Sequence, residues 1–534
     1  MDRSDLGAAE ASPGAETAPG AAAQQEVDGK YKWYVLGVLV LVYVMNFVDR
    51  NIMSILAEDI KADLGITDSE IGFLYGTVFG VFYALFGIPL GRLADMWHRM
   101  RLLTVGLTLW SAMTALSGLA SSFSQLALAR IGVGVGEASA SPVAYSVLSD
   151  YFPKEKRATA LSIYSSGLYL GGGLSLFIGG LIVDRWNLAF PDGGPMGLVG
   201  WQAAFMAVGL PGLLLAAWVS TLREPIRGLS EGIVMPAEPT PFRKFAQELF
   251  SVLPPFTLIH AAQHGKVALA VNLAGLAVAA LFFAGMSHFT GNWPQWLALG
   301  LAGYAVFSWS RSLGHRDRPT YELIWGTPTF LFMVLGFGLV SMSGYAHGFW
   351  ATPYAIRTFG ADKAMIGLFL GGPAAVAGFL SIILGGHLGD RWRKVNPSGR
   401  ILVGFLTILL PIPFIILQYT TSSLTLFFVW AFMASLAGAL WVGIAGATAQ
   451  DLVLPRMRGA STAAFFLGTT VIGLGLGPFL VGRVSELLGD LGHALIATVL
   501  LAPIPLLCMF YVYRNLPKAE ATRIQRARAA GEPI

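Results

Sequence analysis

Four ionisable residues stand inside otherwise apolar stretches: Asp49 and Arg50 in one, Arg130 and Glu137 in another. A charge at the centre of a membrane helix costs about 2.5–3.5 kcal/mol on insertion scales, so the charges that persist there usually face a cavity and act. Arg130 and Glu137 are seven residues apart, which on an α-helix places them on one face about 10 Å from each other. Asp49 and Arg50 are adjacent, so their side chains diverge by about 100° and Arg50 is expected to meet a different partner. Counted from a helix start near Tyr34, Asp49 falls at a depth it can share with Glu137. The chemistry this suggests is proton loading. Burial disfavours a charged carboxylate, a neighbouring guanidinium favours it, and alternating exposure to two sides shifts the balance. Arg130, permanently charged and forked to match phosphate or carboxylate, is the first candidate for an anionic substrate head or for the carboxylates' partner. A static buried salt-bridge network is the alternative, and a fifth charge, Arg483, reads as an end-of-helix anchor.

Polar and aromatic groups accompany these charges. Tyr164 and Tyr169 lie in the run YSSGLYLGGGLS, whose small residues allow close helix approach. Tyr345 and His347 lie in a polar break near Pro353, where transporter helices often bend around a cavity. All four are candidate substrate contacts. Other chemistries are missing: no P-loop, no strand, glycine turn and helix for a dinucleotide, and no G-x-S-x-G nucleophile elbow. His260 and His264 have the spacing of a metal pair but lack an HExxH pattern or a third ligand. The expectation is a protein that is not an enzyme and carries no metal or cofactor, with protons as the coupling ion.

These residues must be held by membrane helices. Of 534 residues 55% are hydrophobic and 12% charged, against roughly 25% charged in soluble domains. The net charge of +4 implies no nucleic-acid partner, and the one cysteine, Cys508, excludes an intrachain disulfide framework and reads as lipid-facing filler. A crossing needs about 20 apolar residues. Stretches of that kind fall at 33–56, 70–91, 102–121, 126–149, 158–183 and 200–221, and again at 325–350, 363–387, 400–418, 422–449, 460–484 and 492–513. Between the halves, 267–286 and 293–312 predict an added hairpin, while 241–265, with Pro254 and Pro255, reads as interfacial. The expectation is an all-α polytopic protein of fourteen spans. It divides into a disordered tail (1–29), an N-terminal six-helix bundle (30–222), a linker with the hairpin (223–322), a C-terminal bundle (323–516) and a basic tail (517–534). Lys and Arg cluster in alternate loops (Arg92, Arg99 and Arg101; Lys154, Lys156 and Arg157; Arg391, Arg393 and Lys394), which predicts that these loops and both termini are cytoplasmic.

The halves echo each other: GRLADMWHRMR from Gly91 aligns with GHLGDRWRK from Gly386, and DYFP from Asp150 with DLVLP from Asp451. The first of these loops resembles the signature of the major facilitator superfamily, which implies two six-helix bundles. In that family this loop latches the cytoplasmic side when the outside is open, a role the resemblance transfers to Asp95, Arg99 and Asp390. NFVDRNIMS (Asn46–Ser54), RIGVGVGEASASP (Arg130–Pro142) and LSDYFP (Leu148–Pro153) resemble the spinster branch. That resemblance implies a carrier of lysolipids or sphingoid lipids with proton linkage, acting as a monomer in the cell membrane among membrane lipids. On it, Asp49 and Glu137 would couple protons, while Arg130 and Arg50 bind the substrate. Two other readings stand beside it. One is a proton-coupled symporter of sugar acids, whose family also has Asp-Arg and a polar residue in the first span; the other is a non-transporting receptor or scaffold.

Overall fold

The computed structural model describes residues 29–228 and 238–533, and all its regular structure is helical. The predicted tail before residue 29 and the linker stretch 229–237 lie outside the described residues. Helix α1 (Tyr31–Leu64) stops where Gly65 turns left-handed at φ 63° and its N–H bonds back to the Lys61 carbonyl. Helix α2 (Asp68–Met96) opens on a capping box in which the Thr67 hydroxyl accepts from the Glu70 N–H and the Glu70 carboxylate from the Thr67 N–H. The first half continues with α3 (Arg99–Ser117), α4 (Phe123–Glu137), α5 (Ala140–Tyr151), α6 (Lys154–Ala189) and α7 (Gly200–Val219). The span predicted at 126–149 is therefore broken directly after Glu137. There the Ser139 hydroxyl donates to the Gly136 carbonyl at 2.9 Å.

Two short helices follow, α8 (Pro241–Val252) and α9 (Phe256–Gln263), then the hairpin α10 (Lys266–Thr290) and α11 (Trp293–Arg316), and then α12 (Arg318–Ile324). The second half comprises α13 (Pro328–Phe359), α14 (Lys363–Arg393), α15 (Gly399–Thr420), α16 (Leu424–Asp451), α17 (Arg458–Leu488) and α18 (Leu491–Ala521), with α19 (Arg523–Ala529) after it. Among the described residues, eleven helices are long and apolar enough to cross a bilayer. Helices α3 and α11 and the α4–α5 pair lie at predicted spans but fall short of that standard in hydropathy or unbroken length.

Within the halves α1 lies along α6, α3 along α7, and α13 along α17. The halves meet where α2 packs on α17 and α6 on α14. The sequence echo extends to backbone geometry. A π-helical turn, in which the hydrogen-bond ring is one residue wider, interrupts α2 at Phe73–Val78 and its counterpart α14 at Gly367–Gly371. Gly360 ends α13 left-handed as Gly65 ends α1. In the α6–α14 contact Gly173 faces Gly371 so closely that a Cβ on either would stand under 3 Å from the other's carbonyl oxygen. The glycine-rich run of α6 thus lets the two halves approach backbone to backbone.

Two expectations are corrected. The chain after residue 516 is no solvated basic tail, because two of its arginines find backbone acceptors. Arg523 donates to the Asp451 carbonyl at 2.8 Å, Arg526 to the Ala519 carbonyl at 2.9 Å, and α19 docks on α12. Cys508 is buried against α13 at Gly336 instead of facing lipid.

Candidate functional site

Helices α1 and α4 carry Asp49, Arg50, Arg130 and Glu137 to one buried cluster, where each side chain comes from the middle or end of a long helix and has no loop to reach through. Arg50 Nη2 donates to Glu137 Oε2 at 2.8 Å. Arg130 takes a different role from the one expected of it: its Nη1 reaches the backbone carbonyl of Asp49 at 3.4 Å, and neither carboxylate is its hydrogen-bond partner. Aromatic rings face both cations. The Arg50 guanidinium lies 4.6 Å from the Phe79 ring centre, 4.7 Å from Phe47 and 5.0 Å from Tyr83, and Arg130 lies 5.3 Å from Phe79.

The cluster is under-satisfied. Asp49 Oδ1, Glu137 Oε1, Arg50 Nε, and Arg130 Nε and Nη2 are buried and make no well-formed hydrogen bond, although Thr114 and Trp110 stand close to the Asp49 carboxylate and Asn46 to that of Glu137. Leaving a buried polar atom unpaired costs about 1–3 kcal/mol, more for charged groups, so a purely structural network would be expected to close these valences. Exposure separates the two cations: the Arg50 side chain keeps 8% and Arg130 none. Both guanidinium groups are therefore buried, with Arg50 keeping the small residual exposure and Arg130 fully enclosed.

The remaining candidates divide. Tyr164 stacks on Tyr43 at 4.4 Å and meets Tyr145 edge-on at 5.7 Å, beside the charged cluster on α1. Tyr169 crosses from α6 to lie against Gly378 of α14. Tyr345 is half-buried and packs against the core that contains α1. His347 stands apart from the charges, with Nδ1 3.1 Å from the Tyr419 hydroxyl and Nε2 3.0 Å from Thr498 Oγ1, so both ring nitrogens are engaged within the second half. His260 and His264 lie 4.7 Å apart with tilted rings at the base of the hairpin, and among the described residues no group of three or more ligating side chains is placed to hold a metal.

The predicted latch residues do not bridge the halves. Arg99 is fully buried and donates to Asp150 at 2.5 Å in the first half and to Glu224 at 3.0 Å and the Pro225 carbonyl at 2.7 Å at the start of the linker, so none of its partners is in the second half. Asp95 is exposed, and Asp390 pairs with Arg400 at 2.8 Å inside the second half. Ionic contacts across the halves gather instead at the opposite face. Arg357 of α13 grips Asp68 of α2 through two bonds of 2.6 and 2.8 Å and Glu58 of α1 at 2.7 Å. Asp68 also accepts from Ser485 of α17 at 2.9 Å and from Lys61, and Lys363 reaches Asp59 at 2.5 Å. This seal escaped the sequence reading. Its signal was present: Arg357 and Lys363 are cations on a side otherwise rich in carboxylates, against the loop-charge trend.

Two helical halves, sealed at one face and enclosing an incompletely paired charge cluster, define a membrane transporter that works between two faces. The chain belongs to the Major Facilitator Superfamily, whose family model matches residues 39–356. A bacterial homologue of the human lysosomal transporter spinster, solved in an inward-facing, unoccupied conformation, superposes with a TM-score of 0.64 at 26% identity, covering 95% of this chain and all of that one. An efflux pump of the superfamily from Mycolicibacterium smegmatis is 27% identical over 88% of this chain and 89% of its own length. A probable L-galactonate transporter of Escherichia coli is 30% identical over 32% of this chain and 35% of its own length. Fold and relatives are those of transporters, not enzymes, and the protein is a multi-pass membrane protein related to both spinster and sugar-acid carriers.

Proposed function

We propose that the chain is a secondary transporter working by alternating access, which moves lysolipid- or sphingolipid-like amphipathic anions in exchange with or together with protons. The observation that carries this reading is the Arg50–Glu137 pair: a buried cation that lies among aromatic rings and is held by a single carboxylate whose other oxygen makes no hydrogen bond. An anionic head that engages Arg50 competes with Glu137 for the same guanidinium. The displaced carboxylate is then buried without its cation and takes up a proton, since burial disfavours its charge. Asp49, beside it and anchored through its backbone by Arg130, is the second proton site. Phe47, Phe79, Tyr83 and the Tyr43–Tyr164–Tyr145 group supply apolar and aromatic surface for the substrate's remainder.

The loop charges assign the sealed face to the outside and the face with Arg99 and Arg393 to the cytoplasm, with both termini inside. The conformation is then inward-facing, in keeping with the spinster homologue it resembles. Helices α3, α11 and α4–α5 would complete fourteen crossings in a monomer of the cell membrane. The kinship with an L-galactonate transporter favours a second reading, a sugar acid bound at the same arginine. Uptake of a labelled lysolipid into proteoliposomes, with and without an imposed pH gradient, decides between them. Gradient-dependent uptake that is lost in Arg50→Ala and loses its gradient dependence in Glu137→Gln is expected. Absence of lysolipid uptake alongside gradient-driven galactonate uptake would transfer the site to sugar acids, and unchanged uptake in both variants would remove these residues from the mechanism.

A further inference from the structure

The added hairpin touches both halves at one buried point. Gln295, on the first turn of α11, is 1% exposed and donates from Nε2 to the carbonyl of Gly475 in α17 at 2.9 Å. Thr77, in the π-turn of α2, stands with its hydroxyl 2.5 Å from Gln295 Oε1 and 2.7 Å from the same Gly475 carbonyl. One residue of each half and one of the hairpin therefore share a closed polar triangle. Apolar packing surrounds it: Trp296 meets Phe479 edge-on at 6.0 Å, and Leu299 lies close against Gly475. At membrane depth no water substitutes for a lost partner, so parting α2 from α17 here strips the amide, the hydroxyl or the carbonyl of its bond. The Thr77 hydroxyl has one proton and two acceptors in reach, so its bond can pass from Gln295 to Gly475 as the helices slide. The point lies on α2 about two and a half turns inward from Asp68, the hub of the ionic seal, at about 5.4 Å per turn. Beyond that point α11 is tied at its other end as well, since Arg316 pairs with Glu248 of α8 at 2.6 Å.

We infer that the hairpin is a clasp on the α2–α17 contact: Gln295 holds the sealed face shut by joining Thr77 to Gly475, and the clasp must release for that face to open. This rests on the alternating-access reading, and its test separates the two. Spin labels at Leu188→Cys and Leu487→Cys, exposed positions of the first and second halves near the sealed face, are placed in a Cys508→Ser background. Their separation is read by double electron–electron resonance in wild type, Gln295→Leu, Thr77→Val, the double variant and Arg357→Ala, with the thermal midpoint of each measured in parallel.

A several-fold rise in the long-distance population is expected in Gln295→Leu and in Thr77→Val, with the double variant no further shifted than the larger single one. If Arg357→Ala opens the face while both clasp variants leave the distances unchanged, the clasp is overturned and rocking stands. If the clasp variants lower only the thermal midpoint, their role is structural and the clasp is equally overturned. If no variant, Arg357→Ala included, populates the longer distance, rocking itself falls and the clasp with it.

Discussion

At Arg50 the guanidinium has one carboxylate partner and three aromatic neighbours, whereas Arg130 is fully enclosed and bound to backbone. The two arginines should therefore fail differently. Arg50→Ala leaves Glu137 buried without its cation, and removing one partner of a buried pair costs about 3–5 kcal/mol. Chemical unfolding in detergent should show a loss of that order, and Arg50→Ala combined with Glu137→Gln should recover much of it. Arg50→Lys keeps the charge but not the planar fork, so substrate affinity should fall on the order of tenfold or more, about 1.4 kcal/mol per decade. Binding of labelled substrate to Arg50→Lys at wild-type affinity would show that the fork is not what holds the head.

Among the elements, the α6–α14 contact depends on having no Cβ at Gly371. Gly371→Ala would press a methyl against the Gly173 carbonyl and is expected to destabilise the sealed conformation by about 1–3 kcal/mol through overpacking. Gly386→Ala, on the same helix, would point its methyl into open space and should be neutral or slightly stabilising. Thermal midpoints of the two variants check this pair, and equal midpoints would mean that the contact gives way without cost. Helix α12 supplies a second case. Burial would raise the carboxyl of Asp317, yet hydrogen bonds from Arg456 and Thr320 outweigh it and hold the group below its ordinary value. Such a carboxylate contributes stability above its unfolded pKa of about 3.9 and loses it as pH falls through the lower folded value. The difference in thermal midpoint between wild type and Asp317→Asn should accordingly be present at neutral pH and shrink as the medium is acidified below about pH 4. A difference that persists in acid would assign the effect to packing.

On the scale of the whole molecule, the ionic contacts between the halves among the described residues lie at one face, where Glu58, Asp59 and Asp68 meet Arg357 and Lys363, with the Ser485 hydroxyl also donating to Asp68. At the other face Arg99, Arg393 and Arg400 spend their bonds on Asp150, Glu224, Asp390 and Asp451, none of which belongs to the opposite half. Arg357→Ala should thus release the seal and make its inner surface reactive to a membrane-impermeant thiol reagent at a cysteine placed there. High salt should act in the same direction in wild type, because half-exposed pairs are screened. Labelling that is the same in both proteins at low and high salt would show that apolar contacts alone keep the face shut.

Composition and the recurrence of apolar stretches determined the membrane class, the helical halves and the hairpin, because a bilayer accepts a backbone only when its hydrogen bonds are closed within helices or barrels. The four intramembrane charges were legible for a similar reason: their cost makes each one conspicuous. Helical spacing placed Arg130 and Glu137 on one face, but it could not say which arginine would take Glu137, since α1 and α4 choose that partner by how they rotate against each other. The same limit hid the true cross-half contacts. Arg357 and Asp68 are far apart in the chain, and Thr77, Gln295 and Gly475 are ordinary residues until three helices bring them together. The loop motif around Asp95 and Arg99 named a latch for the state open to the outside, without saying which state the chain adopts. Which face is closed is a property of how two rigid halves tilt, and only the tertiary structure decides it.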